Sequence, residues 1–189
     1  MIDVLKSLEF GAEAVFEVRK NRLIGLVDFS YFDLSANKGL NGAPFTGATM
    51  ETTTIFGSAN AGYRVVEHDR GSFDLFAGVQ FVWMDVDLTL SGGPPASTSS
   101  SQTLIDPIVG ARGRLDLGSG FFVGTAGTIG GFGVDSELTW QLIGQVGWHA
   151  NDWLTLQAGY RHFEIDFKNN GLMDNMTMSG PIVGATFRL

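Results

Sequence analysis

Apolar and polar residues take turns along most of this chain. Leu8, Phe10, Ala12, Ala14, Phe16 and Val18 share one parity, while Glu9, Glu13, Glu17 and Arg19 share the other. A strand sends successive side chains to opposite faces, so this spacing predicts a two-faced β-strand. The pattern recurs. Leu23, Val27, Phe29 and Tyr31 oppose Arg22, Asp28 and Ser30, and Ile55, Gly57, Ala59, Ala61, Tyr63 and Val65 oppose Thr54, Ser58, Asn60 and Arg64. Phe73, Leu75, Ala77, Val79, Phe81 and Trp83 oppose Asp74 and Gln80, and Ile105, Val109 and Ala111 oppose Asp106, Arg112 and Arg114. Leu138, Trp140, Leu142, Val146 and Trp148 oppose Thr139, Gln141, Gln145 and His149; Leu154, Leu156, Ala158 and Tyr160 oppose Thr155, Gln157 and Arg161. At the carboxyl end Pro181, Val183, Ala185, Phe187 and Leu189 alternate with Gly180, Gly184, Thr186 and Arg188 into the final residue. Only the stretch around 120–130, made of Phe, Gly, Ala and Thr, is poorly polarised.

Nine strands are expected, at roughly 8–19, 22–35, 50–66, 72–90, 103–115, 120–130, 136–149, 153–167 and 174–189. Short connections after the first, third, fifth and seventh strands alternate with longer ones at 36–49, 91–102, 131–135 and 168–173. That alternation describes an antiparallel up-and-down meander with tight turns at one end and loops at the other.

Composition bounds what such a sheet can be. The 189 residues make a single domain, 1–189, and hold 26 glycines, 15 phenylalanines and no cysteine. A formal charge of −8 leaves no basic surplus for a nucleic-acid partner. No run reaches the roughly 20 apolar residues of a spanning helix, so a membrane would have to be crossed by strands. Alternation fits both a soluble barrel of the lipocalin kind and a transmembrane β-barrel with its apolar face outward. Lysine favours the second: Lys6, Lys20, Lys38 and Lys168 all lie at turns, loops or the amino terminus, leaving no charged exterior. Aromatics agree. Tyr63, Trp148 and Trp153 fall near the short turns, and Tyr31, Trp83, Trp140 and Tyr160 toward the loops, as two membrane interfaces would select.

The stretches FGAEAVFEVRKNRLIGLVDFSYFDLS, AGYRVV, IDPIVGARGR, GGFGVDSELTWQLIGQVGW, WLTLQAGYRHFEIDF and MTMSGPIVGATFRL resemble the small outer-membrane β-barrels of Gram-negative bacteria, the OmpA-like and porin-like group. The resemblance covers nearly the whole chain and is most specific at Gly159-Tyr160-Arg161 and in the terminal strand. It implies an outer-membrane location, contact with lipid and lipopolysaccharide, and delivery by the barrel-assembly machinery. In that group the terminal residue is usually Phe and belongs to the assembly signal, carried here by Val183, Ala185, Phe187 and Leu189.

An odd count raises a parity problem. With nine strands the first and last run in the same direction, whereas single-chain bacterial barrels have even numbers. Met1-Ile-Asp-Val-Leu-Lys-Ser has no basic region followed by an apolar core. The expectation is that a signal peptide and a first strand are missing, and that the native barrel has ten strands within a range of eight to ten.

The inward charges Glu9, Glu13, Glu17, Arg19, Asp28, Arg64, Asp74, Asp106, Arg112, Arg114, Arg161 and Arg188 are the richest chemistry. They describe either a solute-selecting constriction or a plug of mutually satisfied ions. A barrel of about ten strands is narrow enough to favour the plug. His162 and Glu164 share a strand face with Ser179 on the neighbouring strand, which admits a lipid hydrolase as the alternative function. Spacing alone does not assemble a nucleophile, base and carboxylate, so His162 is expected to be a rim residue and the chain not an enzyme. His149 and His68 sit at tight turns without an evident partner. The loop-end acids Asp33, Asp85, Asp87, Asp135, Glu137, Glu164, Asp166 and Asp174 lack calcium-loop spacing and read as a solvated rim. The expected role is therefore structural or that of a narrow pore, in a monomer without cofactor or metal.

Overall fold

The computed structural model describes residues 8–39, 44–94, 96–167 and 175–187, with backbone alone at 8–13, 34, 36 and 38. Among them, nine strands form one all-β sheet: β1 (Leu8–Lys20), β2 (Leu23–Gly39), β3 (Gly47–His68), β4 (Gly71–Ser91), β5 (Ala96–Gly118), β6 (Phe121–Gly131), β7 (Ser136–His149), β8 (Leu154–Phe167) and β9 (Asn175–Phe187). They are antiparallel neighbours in chain order, so the expected meander is present. Register follows the apolar pattern. Leu115, Val123, Val146, Ala158 and Val183 stand opposite one another in turn across β5 to β9. A slip of one residue would turn this whole row to the other face.

The expected loops at 36–49 and 91–102 are shorter than the sequence reading had them. β2 runs to Gly39, β3 begins at Gly47, and only 92–95 separate β4 from β5. The Gly- and Asn-rich composition of the first and the Ser-rich composition of the second resemble loops, yet a neighbouring strand supplies the ladder that holds them extended. Thr46 N–H donates to the Ser91 carbonyl at 2.8 Å, and the Thr49 hydroxyl donates to Asn37 Oδ1 at 2.7 Å. Gly92, at φ 85°, takes the left-handed conformation that this tight turn requires.

Contacts gather the chain into two compact units. The first holds β1 up to Phe16 together with the segments Val27–Ser58 and Gln80–Ile105. Its core is Phe56, Val82, Met84 and Leu104 with Ser30, Thr52 and Thr54, and Phe32 meets Phe56 edge-on at 6.2 Å. The second holds Glu17–Leu26, Ala59–Val79 and Asp106–Leu189. It buries Ile24, Ile108, Phe122, Phe163, Ile165 and Phe167 beside Arg64, Asp74, Asp106 and Thr139.

Exposure is inverted relative to a water-soluble sheet. The face richest in apolar residues is the open one: Phe16, Val27, Phe73, Val109, Val146 and Phe187 are all exposed, and Val183 reaches 86%. Arg64 is 8% and Asp74 1% exposed. A few charges thus lie buried beside an apolar core, while many large apolar side chains of the other face are open.

Close packing on the buried side needs glycine at one cross-strand pair. Phe122 stands opposite Gly147, and a Cβ on Gly147 would overlap the Phe122 ring. Gly147→Ala is expected to cost about 1–3 kcal/mol by overpacking, read as a lower denaturation midpoint. The same substitution in a Phe122→Ala background should cost far less; equal costs in both would show that the pair does not set the packing.

Candidate functional site

Six charged side chains of the second unit form one continuous chain of ion pairs. Asp74 on β4 lies at its centre, accepting from Arg64 Nε at 2.8 Å and Arg112 Nε at 2.9 Å. Arg112 Nη1 donates to Glu17 Oε2 at 2.7 Å, Arg19 Nη2 to Glu17 Oε1 at 2.6 Å, and Arg64 Nη1 to Glu67 Oε1 at 3.2 Å. The order Arg19, Glu17, Arg112, Asp74, Arg64, Glu67 alternates in sign and sums to zero. The forked guanidiniums of Arg64 and Arg112 each reach two carboxylates.

The Arg112 to Glu17 bond joins β5 to β1, which are not neighbours in the sheet. Strands four places apart in a flat sheet lie roughly 19 Å apart, at about 4.8 Å per step. A 2.7 Å contact therefore requires this unit's sheet to curve strongly. The space beside Asp74 and Arg112, lined also by Ile24, Leu26, Gly62 and Phe76, is about 10 Å³. That holds one water at most.

Nearer the short turns a second cluster forms on Arg114. It donates to Asp116 Oδ1 at 2.8 Å and to His149 Nε2 at 2.7 Å, with its guanidinium 3.6 Å from the Phe122 ring centroid. Arginine is always a donor, so Nε2 accepts, and Nδ1 carries the proton toward Thr155 Oγ1 at 2.7 Å. His149, expected to lack a partner, has two. Thr155 stands opposite it in the β7–β8 register, a pairing that the intervening turn sets.

The remaining inward charges have separate roles. Asp28 accepts a short hydrogen bond from the Ser58 hydroxyl. Asp106 clamps the β6–β7 turn instead of meeting a guanidinium: it accepts from the Asp135 and Ser136 N–H groups, each at 3.0 Å, and from the Ser136 hydroxyl at 2.7 Å. Arg161 is half-buried and engaged. The side chains of Glu9 and Glu13, and all of Arg188, Leu189 and Asp174, lie outside the described residues. The sequence reading missed Glu67 and Asp116, which pair with Arg64 and Arg114 on their own strands, and Ser136 and Thr155, whose partners Asp106 and His149 stand on other strands.

On the exposed face, aromatic residues at the short-turn end join across strands. Phe121 stacks on Trp148 at 6.1 Å and Trp153 on Phe187 at 6.0 Å, with Tyr63 also exposed. Tyr160 is exposed farther along β8, whereas Tyr31, Trp83 and Trp140 are half-buried. Near the loop end of β7 to β9, Trp140 lies 4.6 Å from the His162 ring, and His162 Nδ1 is 2.6 Å from Ser179 Oγ. His162 Nε2 is 3.8 Å from Glu164 Oε2. Among the described residues no three His, Asp or Glu converge as a metal site.

Removing one partner of a buried pair costs more than the pair is worth, about 3–5 kcal/mol, because the other charge stays behind. Asp74→Ala takes the buried carboxylate from two arginines, leaving Arg112 only Glu17 and Arg64 only the exposed Glu67, and should lower stability by about 3 kcal/mol. Glu67→Ala, at the exposed end of the same chain, should change it by less than about 1 kcal/mol. Denaturation midpoints of the two variants measure the contrast. Comparison with known protein families, curated proteins and solved structures finds no match to this chain, so its function has to be read from this geometry.

Proposed function

We propose that this chain forms an integral outer-membrane β-barrel whose lumen is plugged by matched charge, with a structural role. The observation that carries the reading is the inverted exposure: Val183, Phe187, Phe16 and Val146 open to the surroundings while Asp74 and Arg64 are sealed. Roughly 25 cal/mol is lost for each Å² of apolar surface left in water, so a chain with this face needs lipid to cover it. A soluble ligand-binding barrel would place the same residues inside.

Strand lengths support the reading. β6 to β9 have 11, 14, 14 and 13 residues, close to the roughly 9–11 that a tilted strand uses to cross a bilayer. β3, β4 and β5 have 22, 21 and 23, roughly 70 Å or more at about 3.3 Å per residue, and so outrun it. The surplus in β5 is exposed and polar, Ser97 to Gln102, suiting water beyond the lipid. The aromatic pairs at the short-turn end fit the level of the headgroups.

The sheet order leaves β1 and β9 at its edges, running in the same direction. One further strand, antiparallel to both, closes a ten-stranded barrel and removes both edges. Lipid and lipopolysaccharide are then the surrounding partners, the assembly machinery delivers the chain through its terminal strand, and the barrel acts as a monomer. The neutral ion chain, which reaches from β5 to β1, favours a plug over a pore.

Folded into vesicles of phospholipid brominated along its acyl chains, the protein should show strong quenching of tryptophan fluorescence. A protein that stays soluble without detergent and is not quenched would overturn the membrane reading. In planar bilayers the wild type should pass no steady current. The double variant Glu17→Ala, Asp74→Ala should open measurable conductance, whereas stepwise wild-type conductance would replace the plug with a narrow pore.

A further inference from the structure

We infer that Ser179, His162 and Glu164 form an acyl-ester hydrolysing site on the lipid-facing surface, with long-chain carboxylic esters as the substrate class. The inference rests on the membrane reading for how such an ester would arrive, while the side-chain geometry stands independently of it.

Register brings the three together. Ser179 stands opposite His162 across β8 and β9, and Glu164 follows His162 on the same face of β8. Directly opposed Cβ atoms lie only about 4.5–5.5 Å apart, close enough for a serine to reach an imidazole. The face is the open one, shared with Leu156, Tyr160 and Val183. Polar side chains facing hydrocarbon are costly there unless they lie near the interface. His162 and Glu164 lie within the last six residues of β8, at the loop end where it stops at Phe167, and Ser179 near the start of β9 at Asn175. This is the level at which a bilayer carries its ester groups and still admits water.

The chemistry follows from the contacts. Ser179 Oγ is 2.6 Å from His162 Nδ1, the distance of a hydroxyl donating to an unprotonated ring nitrogen. The ring proton then sits on Nε2, facing the Glu164 carboxylate at 3.8 Å. Nucleophile, base and orienting carboxylate are thus in sequence, with the imidazole using its two nitrogens in the opposite sense from the familiar serine-protease arrangement. Trp140, 4.6 Å from the imidazole, limits how the ring can turn.

A substrate path adjoins the site. An open groove of about 630 Å³ on the exposed face is lined by Leu75, Val109, Ile129, Leu142 and Trp140, with Gly127 as a floor free of any side chain. Its volume is that of ordinary ligand sites, and its lining is apolar. Trp140 joins the groove to the imidazole, and Leu142 stands opposite His162 in the register. A fatty-acyl chain lying in the groove brings its carbonyl to the Ser179 end.

In the reaction, Ser179 Oγ adds to the ester carbonyl carbon as its proton passes to His162 Nδ1. The tetrahedral adduct expels the alcohol, which leaves with that proton, and the acyl group remains on Ser179. Water then adds to the acyl-serine, giving its proton to His162. Release of the carboxylic acid returns that proton to Ser179. Glu164 is a positioning residue that favours the imidazolium formed in each half.

The test uses the full chain folded in phosphatidylglycerol vesicles, with tryptophan quenching by brominated lipid measured on the same sample. A fluorophosphonate probe should label Ser179, located by mass spectrometry, and p-nitrophenyl palmitate should be hydrolysed with a lower KM than p-nitrophenyl acetate. Ser179→Ala should abolish labelling and turnover, and His162→Gln should lower kcat at least a hundredfold. Glu164→Gln should lower kcat about tenfold at unchanged KM and move the acid limb of the pH–rate profile, which a merely structural change would not do. Fatty acid released from vesicle phospholipid or from added lipopolysaccharide identifies which lipid supplies the ester. Quenching without labelling at Ser179, or with turnover unchanged in Ser179→Ala, overturns the site and leaves the membrane reading intact. Absence of quenching with Ser179-dependent hydrolysis of the soluble acetate overturns the membrane reading and leaves the site intact.

Discussion

The sharing of Asp74 between Arg64 and Arg112 is the constraint on which the interior depends. A carboxylate at 1% exposure has no water to solvate it, and either arginine alone would leave the other unmatched. Continuation through Arg112 to Glu17 adds a geometric demand, since that bond reaches from β5 to a strand that is not its neighbour. Charge neutrality and sheet curvature in this unit are therefore one requirement. The glycines follow from it. Gly147 admits the Phe122 ring, and Phe122 in turn carries the Arg114 guanidinium that holds His149.

Inward charge has a consequence for the opposite face. Strand side chains alternate, so each inward charge places its sequence neighbours on the outer face. Val183, Phe187, Leu142 and Val146 are exposed because their neighbours in sequence turn toward the buried side. The Ser179, His162 and Glu164 group breaks this rule on the outer face, which is why it draws a chemical reading and not a packing one. Ser58 beside Asp28 sets a hydroxyl against a carboxylate on the inner face, without an imidazole between them.

Much of the fold was legible because a period of two is a local property. The strands other than the poorly polarised β6 were readable from alternation, and their order from the spacing of short and long connections. Boundaries at 36–49 and 91–102 were misread because Gly and Asn in the first and Ser in the second are typical of loops, and only a partner strand decides otherwise. The candidate sites were legible as residues but not as contacts. Glu17 and Arg112 are 95 positions apart, and no local pattern pairs them. Asp106 looked like one more inward ion, yet it holds the N–H groups of the β6–β7 turn.

What the sequence determined by itself is the two-faced meander, since side-chain direction in a strand depends on parity alone. It also set the sign and number of the charges available inside. Tertiary structure decided which of those charges meet, because pairing depends on register and curvature, and both arise from contacts between distant segments. It likewise decided that His162 stands 2.6 Å from Ser179 while His149 is held by Thr155 and Arg114. Both are half-buried strand histidines with hydroxyl partners, and what separates them is the face of the sheet on which each sits.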